Sequence, residues 1–159
     1  MTHQTIDQFE DEGIRVLKSA FKNLGFENIE IQATPQSFRY DAQISDHVIC
    51  EIKGRQLHPD DYPTYFLEEK KYQALQEILE RDDNDFQAAL YVSYFRKSNV
   101  AIAWRLTDKL IQSCNTQTVF APTSTASDIT QPKERIRKRM ILLPAKRGTC
   151  LRYDRSLLN

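Results

Sequence analysis

Asp41, Glu51 and Lys53 are the residues whose types and spacing could do chemistry together. From Phe38 to Ile44 the residues alternate, with Phe38, Tyr40, Ala42 and Ile44 on one side and Arg39, Asp41 and Gln43 on the other, as in a half-buried strand. Ser45-Asp46 reads as a turn, and a second strand is expected from His47 to Lys53. Side chains on a strand alternate, so Val48, Cys50 and Ile52 share one face while Ile49, Glu51 and Lys53 share the other. If the two strands pair as a hairpin, Asp41 joins Glu51 and Lys53. Two carboxylates about 4 Å apart repel by roughly 4 kcal/mol at an effective dielectric near 20. A divalent cation removes that penalty, and carboxylate oxygens suit Mg²⁺, which keeps its other positions for water or phosphate.

Asp41, nine residues, then Glu51-Ile52-Lys53 resembles the signature of the PD-(D/E)XK nuclease superfamily, with Tyr40 where that signature has a Pro. Two other E-x-K triplets, Glu68-Glu69-Lys70 and Glu69-Lys70-Lys71, sit at helical spacing, where residues two apart do not share a face. Only Glu51 and Lys53 have strand context. The resemblance implies a restriction-endonuclease-like α/β fold, an αβββαβ core whose mixed central sheet is flanked by helices. It implies that Asp41 and Glu51 hold Mg²⁺, or Mn²⁺ in its place, with the Ile52 carbonyl as a further ligand. Lys53 would position the attacking water or stabilise charge on the phosphorus. The first helix of such nucleases often adds a Glu, for which Glu12 is the candidate and Glu10 the second; both also suit the solvated first turns of a helix.

The elements that must position these groups follow from periodicity. Ile6, Phe9, Gly13, Val16, Leu17, Ala20, Phe21 and Leu24 recur at helical spacing, predicting a helix from Thr5, its N-cap, to Leu24, stopped by Gly25. A short strand is expected over Asn28 to Ala33, and a turn at Thr34 to Ser37 leads into the hairpin. Thr64 to Arg81 reads as a second long helix. Near its start Lys70 and Lys71 lie among tyrosines and could hold a phosphate backbone; paired with neighbouring Glu residues, they would instead be ordinary surface charges. Ala88 to Phe95 and Val100 to Leu106 read as a strand pair, Thr107 to Gln112 as a short helical turn, and Asn115 to Gln131 as a long loop. Met140 to Leu143 is a last apolar run expected to join the sheet or a partner chain.

With 159 residues the chain fits one domain, read as a nuclease core over 1–110 and a loop with a basic extension over 111–159. No apolar run approaches the roughly 20 residues that span a membrane, and no secretory signal is visible, so the expected location is cytoplasmic. Cys50, Cys114 and Cys150 lack C-x-x-C spacing, which argues against a zinc knuckle or a disulfide framework; Cys50 reads as a small core residue. Formal net charge is zero, yet Lys133 to Arg155 holds nine Lys and Arg against Glu134 and Asp154. Arg137, Lys138, Arg139, Lys146 and Arg147 in this stretch, with Lys70 and Lys71, are the candidate nucleic-acid contacts.

These readings lead to a metal-dependent DNA endonuclease acting on duplex or branched DNA. The resemblance brings in small phage or mobile-element enzymes, including homing-type endonucleases, and Holliday-junction resolvases, with a homodimer or higher symmetric oligomer pairing two sites. The alternative is a nucleic-acid-binding or assembly module of the same fold, whose carboxylates form a solvated polar face.

Overall fold

In the computed structural model, residues 6–35, 38–122 and 135–158 are described. Helix α1, Ile6–Asn23, buries Ile14, Val16, Leu17 and Ala20 at the three-to-four spacing visible in the sequence. It ends as expected at Gly25, whose φ of 94° lies in the left-handed region that favours glycine. The expected N-cap, Thr5, and the side chain of Glu10 fall outside the described residues.

Three antiparallel strands follow: β1 (Ile31–Ala33), β2 (Ala42–Ile44) and β3 (Val48–Arg55). The expected strand from Phe38 is cut to its last three residues. Phe38–Asp41 bends instead, because Phe38 N–H donates to the Pro35 carbonyl, and Thr34 donates from its backbone to the Asp41 carbonyl and from its hydroxyl to the Tyr40 carbonyl. Strand β3 then pairs in parallel with β5 (Ala88–Phe95), and β5 with antiparallel β6 (Val100–Arg105). Antiparallel β9 (Thr149–Arg152) closes a six-stranded mixed sheet of order β1-β2-β3-β5-β6-β9. The chain is thus α/β, with its longest parallel pairing directly behind the Glu51-Ile52-Lys53 triplet.

The segment between β3 and β5 departs from the expected single helix. Thr64–Glu68 is strand β4, in which Tyr65 and Leu67 are buried and Phe66 is exposed; only Glu69–Leu79 is helical, as α2. The aromatic residues Tyr65 and Phe66 favour a strand, and here a partner is available: β4 pairs antiparallel with β8 (Arg135–Pro144). The region read as a loop after Asn115 also yields a strand, β7 (Thr116–Pro122), on the other side of β8. The rest of that expected loop, 123–131, lies outside the described residues. Strands β4, β8 and β7 form a second, antiparallel sheet, so the apolar run Met140 to Leu143 joins a sheet, though not the central one. The short turn after Thr107 is helix α3 (Asp108–Gln112), with the Thr107 hydroxyl accepting from Leu110 N–H.

Two cores lie on opposite faces of the large sheet. Side chains from α1 pack with Ala42, Ile44, Cys50, Val92 and Tyr94. On the other face Ile49, Tyr91, Phe95 and Trp104 pack with Tyr65 and Leu67 of β4, Leu75 and Ile78 of α2, and Ile141 and Leu143 of β8. No helix among the described residues is long and apolar enough to cross a membrane.

Gly54 is required by close approach. It sits opposite Tyr94 in the parallel register, and a Cβ there would lie 2.6 Å from the Tyr94 hydroxyl, which is itself anchored to buried Glu12. Gly54→Ala is therefore expected to destabilise the fold by about 1–3 kcal/mol through overpacking, read as a lower urea midpoint; an unchanged midpoint would show that Tyr94 is free to move aside.

Candidate active site

The hairpin register brings the two carboxylates together. Ala42 pairs with Cys50 and Asp41 N–H donates to the Cys50 carbonyl, which sets Asp41 beside Glu51 where the β2–β3 ladder ends. Beyond that point the Asp41 carboxylate takes over a ladder position, with Oδ2 accepting from Ile52 N–H at 2.8 Å. Asp41 is thus fixed by backbone groups on both sides.

Glu51 is buried, and its carboxylate has two neighbours of opposite kind. Its Oε1 is ion-paired to Lys71 Nζ, delivered by the first turn of α2, while the Asp41 carboxyl lies beside it across the hairpin. Burial and the Asp41 charge push Glu51 from its ordinary 4.5 up to about 7, against the lowering effect of Lys71 and Lys53. Asp41 is also raised, chiefly by burial; the Ile52 N–H bond, Lys71 and Lys53 oppose this. Both carboxyls therefore hold a proton more tightly than a free carboxyl does. Lys71 itself is raised: burial would lower it, but the charge of Glu51 and its hydrogen bond outweigh burial.

Lys53 lies two residues along the same strand face and feels both carboxylates. Its ammonium is depressed, first by desolvation and then by the charges of Arg55 and Lys71. Arg55, one step further along, is held by Ser93 Oγ from its Nε, and by the Phe66 carbonyl and the Tyr91 hydroxyl from its Nη2, each at 3.0 Å. It also sits over the Tyr65 ring at 5.2 Å. Three cations thus border two carboxylates on the face that carries β4 and α2.

Arg55, Tyr91 and Ser93 were not among the residues singled out from sequence. The position of Arg55, two after Lys53, puts it on the site face by the same alternation. Tyr91 and Ser93 become visible only once β5 is known to lie parallel to β3, with Glu51 opposite Tyr91 and Lys53 opposite Ser93. Lys71 was picked as a phosphate contact, yet its partner is Glu51. Cys50 is wholly buried, its thiol raised by burial and by both carboxylates, in keeping with a core role.

Glu12 is not brought into this cluster. It is buried on the α1 side, where Oε1 accepts from the Tyr94 hydroxyl at 2.8 Å and pairs with Arg96. The reason is alternation along β3: α1 packs where Ile52 points, so that a Cβ on Gly13 would lie 3.0 Å from Ile52 Cγ2, and Glu51 and Lys53 point to the other face. The remaining basic candidates divide. Lys70, Arg137, Lys138 and Arg139 line one cleft of about 170 Å³, with Lys138 against Glu68 and Arg139 against Glu69. Lys146 and Arg147 lie beyond the far end of β8 in a 3-10 turn, with Arg147 donating to Ser113 Oγ.

A donor set of Asp41 and Glu51 suits Mg²⁺, which usually takes one or two protein carboxylates and completes its shell with water and phosphate oxygens. Among the described residues no group of three or more His, Cys, Asp or Glu gathers that could hold a metal ion. A scan against protein-family models, a search of curated proteins and a search of solved structures each found no match to this chain.

The raised carboxyl makes stability depend on pH in a definite sense. The folded chain keeps a proton on Glu51 up to about pH 7, whereas the unfolded chain releases it near 4.5, so folding loses stability as pH rises through that window. Glu51→Gln removes the charge while keeping the shape. Urea titrations should show it more stable than the parent above pH 7, by up to a few kcal/mol, with the gain vanishing towards pH 4.5. Equal stability of the two at pH 8 would mean that Lys71 fully neutralises the buried charge.

Proposed function

We propose that the chain is a metal-dependent DNA endonuclease with a restriction-endonuclease-like core, and that Asp41, Glu51 and Lys53 form its active site. The observation that carries this reading is the geometry that sets the half-buried Asp41 carboxyl beside the buried Glu51 carboxyl at the end of the β2–β3 ladder, with Lys53 two residues along the same face. A proton is the smallest cation that relieves the repulsion between them, and Mg²⁺ or Mn²⁺ relieves it more fully. The element order is in keeping with the reading: α1, three antiparallel strands, α2, then β5 parallel to β3. Strand β4, inserted before α2, is an addition to that core.

Asp41 and Glu51 would hold the metal, with the Ile52 carbonyl as a further ligand. The bound ion would act as a Lewis acid towards the phosphate and lower the pKa of a water. The residues around it then have separable tasks. Lys53, as an ammonium, positions the attacking water or stabilises the charge that develops on the phosphorane. Lys71, whose side chain is 45% exposed and able to swing, leaves Glu51 and donates to a phosphate oxygen. Arg55, locked by Ser93, Tyr91 and the Phe66 carbonyl, supplies a fixed positive field beside them. Cutting both strands of a duplex calls for two such sites, hence a homodimer or larger symmetric assembly.

The Lys71–Glu51 ion pair also favours a second reading, a nucleic-acid-binding module whose carboxylates only neutralise nearby cations. The two differ in what Mg²⁺ does. For the nuclease, supercoiled plasmid or branched DNA should be cut only with Mg²⁺ or Mn²⁺, and Glu51→Gln and Lys53→Ala should each lose about 100-fold or more of the rate while still binding DNA. Calorimetry should show Mg²⁺ binding that releases a proton and weakens about tenfold per pH unit below pH 7, since the ion must displace the Glu51 proton. Absence of both cutting and Mg²⁺ binding would leave the binding module.

A further inference from the structure

Strands β7 and β8 continue beyond the small sheet. Strand β4 pairs with β8 only from Met140 to Pro144, whereas β7 and β8 stay paired from Thr118↔Arg139 out to Pro122↔Arg135. Those five residue pairs form a two-stranded ribbon extending about 15 Å past the last β4 contact, at about 3.4 Å per residue. A two-stranded ribbon in water is marginally stable by itself. This one also exposes Phe120 (62%) and Ile136 (39%).

Its charges lie mostly on one face. Arg135, Arg137 and Arg139 alternate along β8 on the same side as Thr118 and Phe120, and the Arg137 guanidinium lies 5.5 Å from the Phe120 ring centroid. Arg139 is tied to Glu69 at 2.7 Å and marks the root of the ribbon; Arg135 and Arg137 are exposed further out. The root is close to the proposed site through a short chain of contacts: Glu69 opens α2, and Lys71, two residues on, is paired to Glu51.

We propose that the β7–β8 ribbon enters the major groove of a DNA duplex beside the scissile phosphate, with Arg135 and Arg137 on the backbone or base edges and Phe120 against the groove floor. The proposal rests on the nuclease reading for its substrate. The B-form major groove, about 12 Å wide, admits a two-stranded ribbon, whereas the A-form groove of RNA is too deep and narrow for side chains to read. Charge complementarity selects a polyanion, because a second copy of the ribbon would set Arg135 and Arg137 against like charges. Among the described residues the acidic groups near the ribbon, Glu68 and Glu69, are matched by Lys138 and Arg139 rather than by the outer arginines.

The test uses the full chain carrying Glu51→Gln, so that binding is measured without cutting, on a labelled DNA duplex across a salt series. Arg135→Ala with Arg137→Ala should reduce the slope of log affinity against log salt by about 2, so that the affinity lost between 50 and 200 mM salt shrinks by about tenfold. Lys18→Ala with Lys22→Ala removes the same charge from α1 and should leave the slope unchanged. Arg137→Lys should keep it, and circular dichroism should show each variant folded. In the Glu51 chain the ribbon variant should raise KM and leave kcat unchanged. An unchanged slope, an equal loss on duplex RNA, or a concentration-dependent dimer abolished by the ribbon substitutions without effect on DNA would overturn the proposal. If the chain with Glu51 neither cuts DNA nor binds Mg²⁺ while the ribbon variant still loses duplex affinity, the nuclease reading fails and groove binding by the ribbon stands.

Discussion

Two carboxyl groups held beside each other, Glu51 buried and Asp41 half-buried, are the constraint on which the site depends. Isolated, such a pair would shed its charge by taking up protons, and Glu51 goes part of the way, with its pKa near 7. The surrounding structure prevents further escape. Asp41 is pinned by Ile52 N–H on its side chain and by the Cys50 carbonyl on its backbone, so it cannot rotate into solvent without breaking the end of the β2–β3 ladder. Glu51 is closed in by Tyr91 on the neighbouring strand and by Lys71 from α2. The repulsion is therefore held in the fold, and the proposed cation would release it.

The hairpin was legible because side-chain alternation is local. Period two alone puts Glu51 and Lys53 on one face, and the turn, which takes in His47 as well as Ser45-Asp46 and so pairs Ile44 with Val48, brings Asp41 opposite Glu51. Helix α1 was legible for the same reason, its apolar spacing being complete within one segment. The misread elements depend on partners far along the chain. Tyr65-Phe66-Leu67 opens what looks like a helical stripe, and it becomes β4 because Ile141 and Leu143 of β8 are there to receive Leu67 and Tyr65. Thr116–Pro122 has the composition of a loop, yet its Thr, Val and Phe residues suit a strand once β8 offers an edge. Phe38–Asp41 errs in the opposite direction, since perfect alternation was overridden by local hydrogen bonds from Thr34 and to Pro35.

The same distinction separates the site residues. Asp41, Glu51, Lys53 and Arg55 belong to one hairpin, so spacing reaches them. Tyr91 and Ser93 come from β5, and Lys71 comes from α2 after an intervening strand; no spacing rule connects them to Glu51. Glu12 shows the limit of an inference that uses helix position without sheet face. A carboxylate on α1 was expected to complete the site, but α1 covers the face defined by Cys50 and Ile52, one residue out of phase with Glu51. There Glu12 does a different task, accepting the Tyr94 hydroxyl and the Arg96 guanidinium under the helix.

Strand β3 thus divides its residues by parity: Cys50, Ile52 and Gly54 make the floor on which α1 rests, while Glu51, Lys53 and Arg55 make the polar edge under β4 and α2. This parity limits how the site could change. Shifting β3 by one residue against β2 or β5 would place Glu51 and Lys53 in the apolar layer beneath α1 and turn Cys50 and Ile52 towards Lys71, at the cost of buried, unpaired charge. The eight-residue parallel register with β5 and the close fit of Gly54 against Tyr94 both oppose that slip. Packing on the α1 face therefore determines which side chains β3 presents on the other face.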